Sequence, residues 1–209
     1  MTTPHPTQCP QLAHMLPTII GNDTTHAHWL NSLSMMESVG ARKIAAYVHP
    51  LHVDLITLQH AFEEARHAYF LKRQINKLAI DCPDYTGAYM LAPRASFRYL
   101  HKLDMNCSRY LSKRGATGRS LKHGCYLLVT YLIEVRAMML YHTYQHALTH
   151  AGSRVHVQSI IKEEEGHLDN MMAQLDEFNP QWHEMSADLH DMEQKLYDNW
   201  LNQVEHSIA

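Results

Sequence analysis

The chain has 209 residues, 45% of them apolar and 19% charged, with a formal net charge of −3. That is a soluble globular balance, long enough to bury a real core as one domain, and the charge alone points to no polyanionic or membrane partner. The four cysteines, Cys9, Cys82, Cys107 and Cys125, form no CxxC pair, which excludes a zinc ribbon, a rubredoxin-type iron site and a thioredoxin motif.

Neither a secretory signal nor an unbroken apolar run of membrane-spanning length is visible, so a reduced cytoplasm with free thiols is expected. Gly and Pro number eight each, and long stretches lack both, which favours helices. Residues 1–27, with Pro4, Pro6, Pro10, Pro17 and the turn-like Gly21-Asn22-Asp23, read as an irregular arm. Helices are then expected over 29–48 and 51–78, separated at Pro50. A segment of helical pieces, 85–118, follows the Asp81-Cys82-Pro83-Asp84 break. Further helices are expected over 120–150, 154–178 and 181–206. Short connections make antiparallel neighbours, so the first helix pairs with the second and the third with the fourth. The fold class is therefore all-α: a four-helix bundle in one domain, with a long helical crossover between helices 2 and 3 and an extra C-terminal helix.

The chemistry lies in an internal echo. The second helix contains Glu63-Glu64-Ala65-Arg66-His67 and the fourth Glu163-Glu164-Glu165-Gly166-His167. Each gives a Glu and a His at i and i+3, on one helix face. Each follows a helix with one Glu on its apolar stripe, Glu37 among Leu33, Ala41 and Ile44, and Glu134 among Tyr131, Ala137 and Met138. All four carboxylates should face the core. Burying one unpaired carboxylate costs about 5 kcal/mol or more, and too few inward Lys or Arg exist to balance four. Two divalent cations would balance them. Carboxylate oxygens plus imidazoles suit iron or manganese, with zinc an alternative. Glu63, Glu163 and Glu165 lack a His at i+3 and read as solvated or as supports for the ligands.

On these residues the chain resembles the ferritin-like di-iron carboxylate superfamily: rubrerythrins, bacterioferritins, the ribonucleotide reductase small subunit, bacterial multicomponent monooxygenases and aldehyde-deformylating oxygenases. The resemblance covers about 29–78 and 120–178, and leaves out the arm, the crossover and the last helix. It implies two iron ions, or an Mn/Fe or Mn/Mn pair, held by Glu37, Glu64, His67, Glu134, Glu164 and His167. Glu64 and Glu164 would bridge, with Glu37 and Glu134 terminal. It also implies dioxygen as co-substrate and an external electron donor, a ferredoxin or a flavoprotein.

Three functions fit. One is an oxidase or oxygenase that oxidises a small organic substrate, apolar or carrier-linked. A ferroxidase or iron-storage protein is the second, and a structural or regulatory metal-binding bundle the third. The crossover and the extra helix favour the first, since a minimal cage subunit lacks them. Tyr131 and Tyr141 lie one and two turns from Glu134, and the ordinary role for either is packing plus a hydrogen bond to a ligand carboxylate. His60, one turn before Glu64, is a further candidate support. Residues 94–122 carry eight Lys or Arg against Asp104 alone, whereas 163–205 carry twelve acidic residues against Lys195. Either these surfaces face each other, within the fold or across a homodimer, or the basic segment docks an anionic partner.

Overall fold

A computed structural model describes residues 9–48 and 51–209. Among them are seven α-helices and no strands: α1 Pro10–Ile20, α2 Asp23–Tyr47, α3 Leu55–Ile75, α4 Pro93–Lys113, α5 Gly118–His150, α6 Gln158–Phe178 and α7 Trp182–Ile208. The all-α class is as expected, and the element bounds differ at several caps.

The largest difference is the N-terminal arm, which from Pro10 onward is helical rather than irregular. Pro10 sits in the first turn, where its missing N–H costs nothing. Leu12, Met15, Leu16 and Ile19 then bury one face. Pro17 lies near the end, and the Gly21 N–H closes the helix on the Pro17 carbonyl at 2.9 Å. The prolines before Cys9 lie outside the described residues. Asn22, read as part of a turn, instead caps α2 by accepting from the Thr25 N–H at 2.9 Å. Asp54 caps α3 in the same way, accepting from Ile56 and Thr57, so that helix begins after Leu51. The Pro50 break and His49 fall outside the described residues. The crossover is one helix, α4, preceded by two single 3₁₀ turns. Residues 154–157 are a lead-in to α6, with Val155 and Val157 buried.

α2 packs along α3, α5 along α6, and α3 meets α6. α4 lies against α5, α7 and α2, while α1 covers α5, α2 and α7. One core joins α1, α2, α5 and α7 around Trp29, which stacks on Trp200 at 5.7 Å with Tyr144 edge-on. The other gathers α4, α5, α6 and α7 around Leu127, Leu132, Leu175 and Trp182. α7 is fixed by a buried ion pair: Arg136 donates to Glu193, Tyr99 donates to the same carboxylate at 2.6 Å, and the guanidinium lies 4.0 Å from the Tyr197 ring centroid. Further along, Arg114 and Tyr110 of α4 reach Asp188 of α7 at 3.1 and 2.7 Å. Part of the basic segment thus meets the acidic one within the fold.

α5 is long and apolar enough to cross a membrane by length and composition, but 72% of its most apolar window is buried inside the fold, as in a core helix. The outer face of α3 is unusual in the opposite sense. Leu55, Leu58, Phe62 and Tyr69 are 78, 42, 68 and 63% exposed.

Candidate metal centre

Four helices contribute to one buried cluster: α2 with Glu37, α3 with His60, Glu64 and His67, α5 with Glu134, and α6 with Glu164 and His167. All but the partly buried Glu37 are buried. Each i, i+3 pair shares a face because successive helical residues turn by about 100°, so both side chains of the pair reach the same neighbour.

The cluster divides into two groups whose donor atoms lie within 4.8 Å of one another: His60, Glu64, Glu134 and His167, and Glu37, Glu64, His67 and Glu164. All six residues expected from the sequence are therefore brought together, and His60 joins them. Glu64 belongs to both groups. Glu164 also spans both histidines, with Oε1 3.2 Å from His67 Nδ1 and Oε2 3.0 Å from His167 Nδ1.

The outer ring nitrogens are held in a crossed pattern. His67 on α3 donates through Nε2 to Glu163 on α6 at 3.0 Å, and His167 on α6 donates to Glu63 on α3 at 2.8 Å. Arg66 in turn pairs with Glu163. These bonds leave both Nδ1 atoms facing the carboxylates. Glu63 and Glu163 thus orient the histidines of the opposite helix, while Glu165 is exposed. Tyr141 donates to Glu37, and His60 Nε2 contacts Glu134 Oε1 at 2.9 Å. Tyr131, by contrast, packs edge-on against Trp182 of α7 at 5.0 Å. It points away from the carboxylates because its position on α5 belongs to the face that covers the second core.

Proton affinities follow from this crowding. Burial, then the Glu64 and Glu164 carboxylates, hold Glu37 well above the usual range. Burial and the same two neighbours do so for Glu134. Burial opposes ionisation of Glu64, but the His167 and His60 imidazoles outweigh it and bring the group to about 2. Glu164 is lowered well below the usual range in the same way, by His167 and His67. Burial would neutralise His167, yet Glu164 and Glu64 raise it to about 10, and His67 is raised for the same reason. Without metal, then, crowding and burial favour the protonated form of Glu37, Glu134, His67 and His167.

The residues fit a cation. Glu64 Oε1 and His67 Nδ1 are buried and face the cluster without a well-aligned hydrogen bond, the nearest contact of Nδ1 being its 3.2 Å ion pair with Glu164. The nearest contacts of Glu64 Oε1, to His167 and His60 at 3.4 and 3.5 Å, are too long to satisfy it well. The donor set of carboxylate oxygens and imidazoles can hold a metal ion.

A cavity of about 400 Å³ between α2, α4 and α5 reaches this centre. Its rim carries Lys43, Asp104 and the exposed Lys122, with the Lys43 and Asp104 side chains 36 and 39% exposed and paired. Ile44, Val129 and Ile133 line its wall, and Glu64 and Glu134 its inner end. Gly40 lines it as well, at a point where a Cβ would just touch Glu64 Oε2 at 3.4 Å.

The all-helical architecture and the buried Glu/His cluster are compatible with a ferritin-like fold. No protein-family model, no curated protein and no solved structure matches the chain.

Proposed function

We propose that this chain is a ferritin-like di-iron oxidase or oxygenase that uses dioxygen to oxidise a small organic substrate. The observation that carries this reading is the cavity ending on Glu64 and Glu134. Its mainly apolar wall suits an organic molecule and poorly suits a hydrated cation on its way to storage.

Glu37, Glu64, His67, Glu134, Glu164 and His167 would hold the two ions, with His60 beside Glu134 as a further donor. Bound iron would supply the electrons that reduce dioxygen, replenished by an external ferredoxin or flavoprotein. The chain's own residues do the rest. Glu63 and Glu163 orient the two imidazoles through Nε2. Tyr141 fixes the Glu37 carboxylate by donating a hydrogen bond to it, which partly offsets the rise in its proton affinity. Ile44, Val129 and Ile133 exclude water from the route to Glu64 and Glu134. The proposal includes a homodimer formed through α3, whose apolar residues 55, 58, 62 and 69 follow the three–four spacing of a helix–helix seam.

The test is anaerobic addition of Fe(II) to the metal-free protein, followed by air. About two irons per chain should bind, with dioxygen consumed in proportion to the bound iron, and Glu134→Ala should lose both effects. Uptake of on the order of hundreds of irons per assembly would mean storage instead. Tight zinc binding without oxygen consumption would mean a structural site.

A further inference from the structure

We propose that the cleft between α4 and α7 binds a small molecule carrying a diphosphate group. A cavity of about 370 Å³ opens there. Arg94, Arg98 and Lys102 line it from α4, and Asn199 and Gln203 from α7. Its floor includes Leu196 and the edge of Trp200.

The charge pattern is what calls for a ligand. α7 supplies carboxylates to α4 and α5 elsewhere: Asp188 meets Arg114, and Glu193 meets Arg136. Around this cavity it supplies amides instead. No carboxylate lines the cavity, and among the described residues none of the three cations has an acidic partner. Arg94, Arg98 and Lys102 follow one another at i, i+4 and i+8, so they share one face of α4 and repel one another along it. An anion lying in the cleft relieves that repulsion.

The geometry also sets the size of the anion. Eight residues of helix separate Arg94 from Lys102, about 12 Å along the axis. Two linked phosphates extend further along this row than one, so each of the three cations can meet an oxygen with less bending of its side chain. The two guanidinium forks suit phosphate oxygens, each giving two parallel hydrogen bonds. Asn199 and Gln203 can donate or accept, which suits hydroxyl or ester oxygens beside the phosphates. Leu196 and Trp200 offer an apolar seat to an organic remainder. The site is built from helices that carry none of the Glu37, Glu64, Glu134 and Glu164 carboxylates, so it stands or falls independently of the metal reading.

The test uses the full chain and calorimetric titration with inorganic pyrophosphate, ATP and orthophosphate, at about 0.15 M salt to screen diffuse attraction. Pyrophosphate and ATP should bind one per chain, and orthophosphate about tenfold more weakly or worse. Tighter binding of ATP than of pyrophosphate would mark a nucleotide as the source, and equal binding the diphosphate alone. The paired variant Arg94→Gln/Arg98→Gln should weaken both by about tenfold or more, and Asn199→Ala/Gln203→Ala by about threefold. Those four side chains are exposed, so the fold should survive. The control is Arg109→Gln/Lys113→Gln, which removes equal charge from the same helix outside the cavity and should change nothing. Absence of pyrophosphate binding overturns the proposal. Equal loss in the control also overturns it, as does a single-stranded RNA oligomer bound with equal dependence on all four basic residues, since either means a diffuse basic stripe.

Discussion

Without metal, the crowded carboxylates and imidazoles favour proton binding at Glu37, Glu134, His67 and His167. Cations bound there would compete with those protons, so metal loading should release protons, which a pH-stat titration would read. The same shifts set how stability varies with pH. His167 rises from 6.5 to about 10 on folding, so its contribution is complete below 6.5 and lost as pH climbs through 10. Glu37 and Glu134, raised above 4.5, act in the same direction. Glu64 and Glu164 act oppositely, losing their contribution only in acid. Calorimetry should therefore show the melting temperature of the metal-free protein falling between pH 6.5 and 10, and bound metal flattening that slope. A flat metal-free profile would mean that the imidazoles are not paired with Glu64 and Glu164. Four of the six candidate ligands were legible because the repeated Glu-x-x-His fixes its own geometry within one helical turn, and Glu37 and Glu134 because each is a lone carboxylate on an apolar stripe. Glu63 and Glu163 were half legible, since their adjacency to the motif was visible while the crossing to the opposite helix depends on packing. Tyr131 misled, because one turn of spacing does not say which way a side chain faces once a second core exists.

Helix ends were easiest to place where Gly or Pro follows within two residues, as after His150 and Phe178. Residues 10–20 defeated that approach, because prolines at a helix start and near its end look like breakers until the buried face is seen. The clamp between Arg136 and Glu193 was invisible because its members lie 57 residues apart with no local signature. Gly124 is a comparable case. A Cβ there would lie 2.8 Å from Phe178 Cζ and 3.1 Å from Leu111 Cδ1, so α4, α5 and α6 meet closely at this point. Gly124→Ala should gain about 1 kcal/mol of helix propensity. The overpacking should cost about 1–3 kcal/mol. Urea unfolding should show a net loss, with iron stoichiometry unchanged. A net gain would mean that the Phe178 ring swings aside freely.

For the molecule as a whole, α3 presents Leu55, Leu58, Phe62 and Tyr69 to solvent while its other face carries Glu64 and His67. Asp54 lies before this stripe and the exposed Arg73 beyond it, so an antiparallel twofold pairing would bring opposite charges together at both ends. Sedimentation should give a dimer that Leu58→Glu/Phe62→Glu dissociates without changing helical content. A monomeric wild type would remove the α3 seam from consideration. Fold class and helix pairing were legible from periodicity and loop length, but this face was not, because exposure of an apolar stripe is known only once the helices are packed. The two halves of the chain also contribute unequally to the centre. His60 precedes Glu64 by one turn, whereas the matching place before Glu164 holds Ile160. One group therefore offers two imidazoles and the other a single imidazole among three carboxylates. If the proposed pair of ions binds, the nitrogen-richer group should prefer iron and the oxygen-richer one manganese, and anomalous scattering at the two absorption edges after loading with both would read whether each ion has its own address.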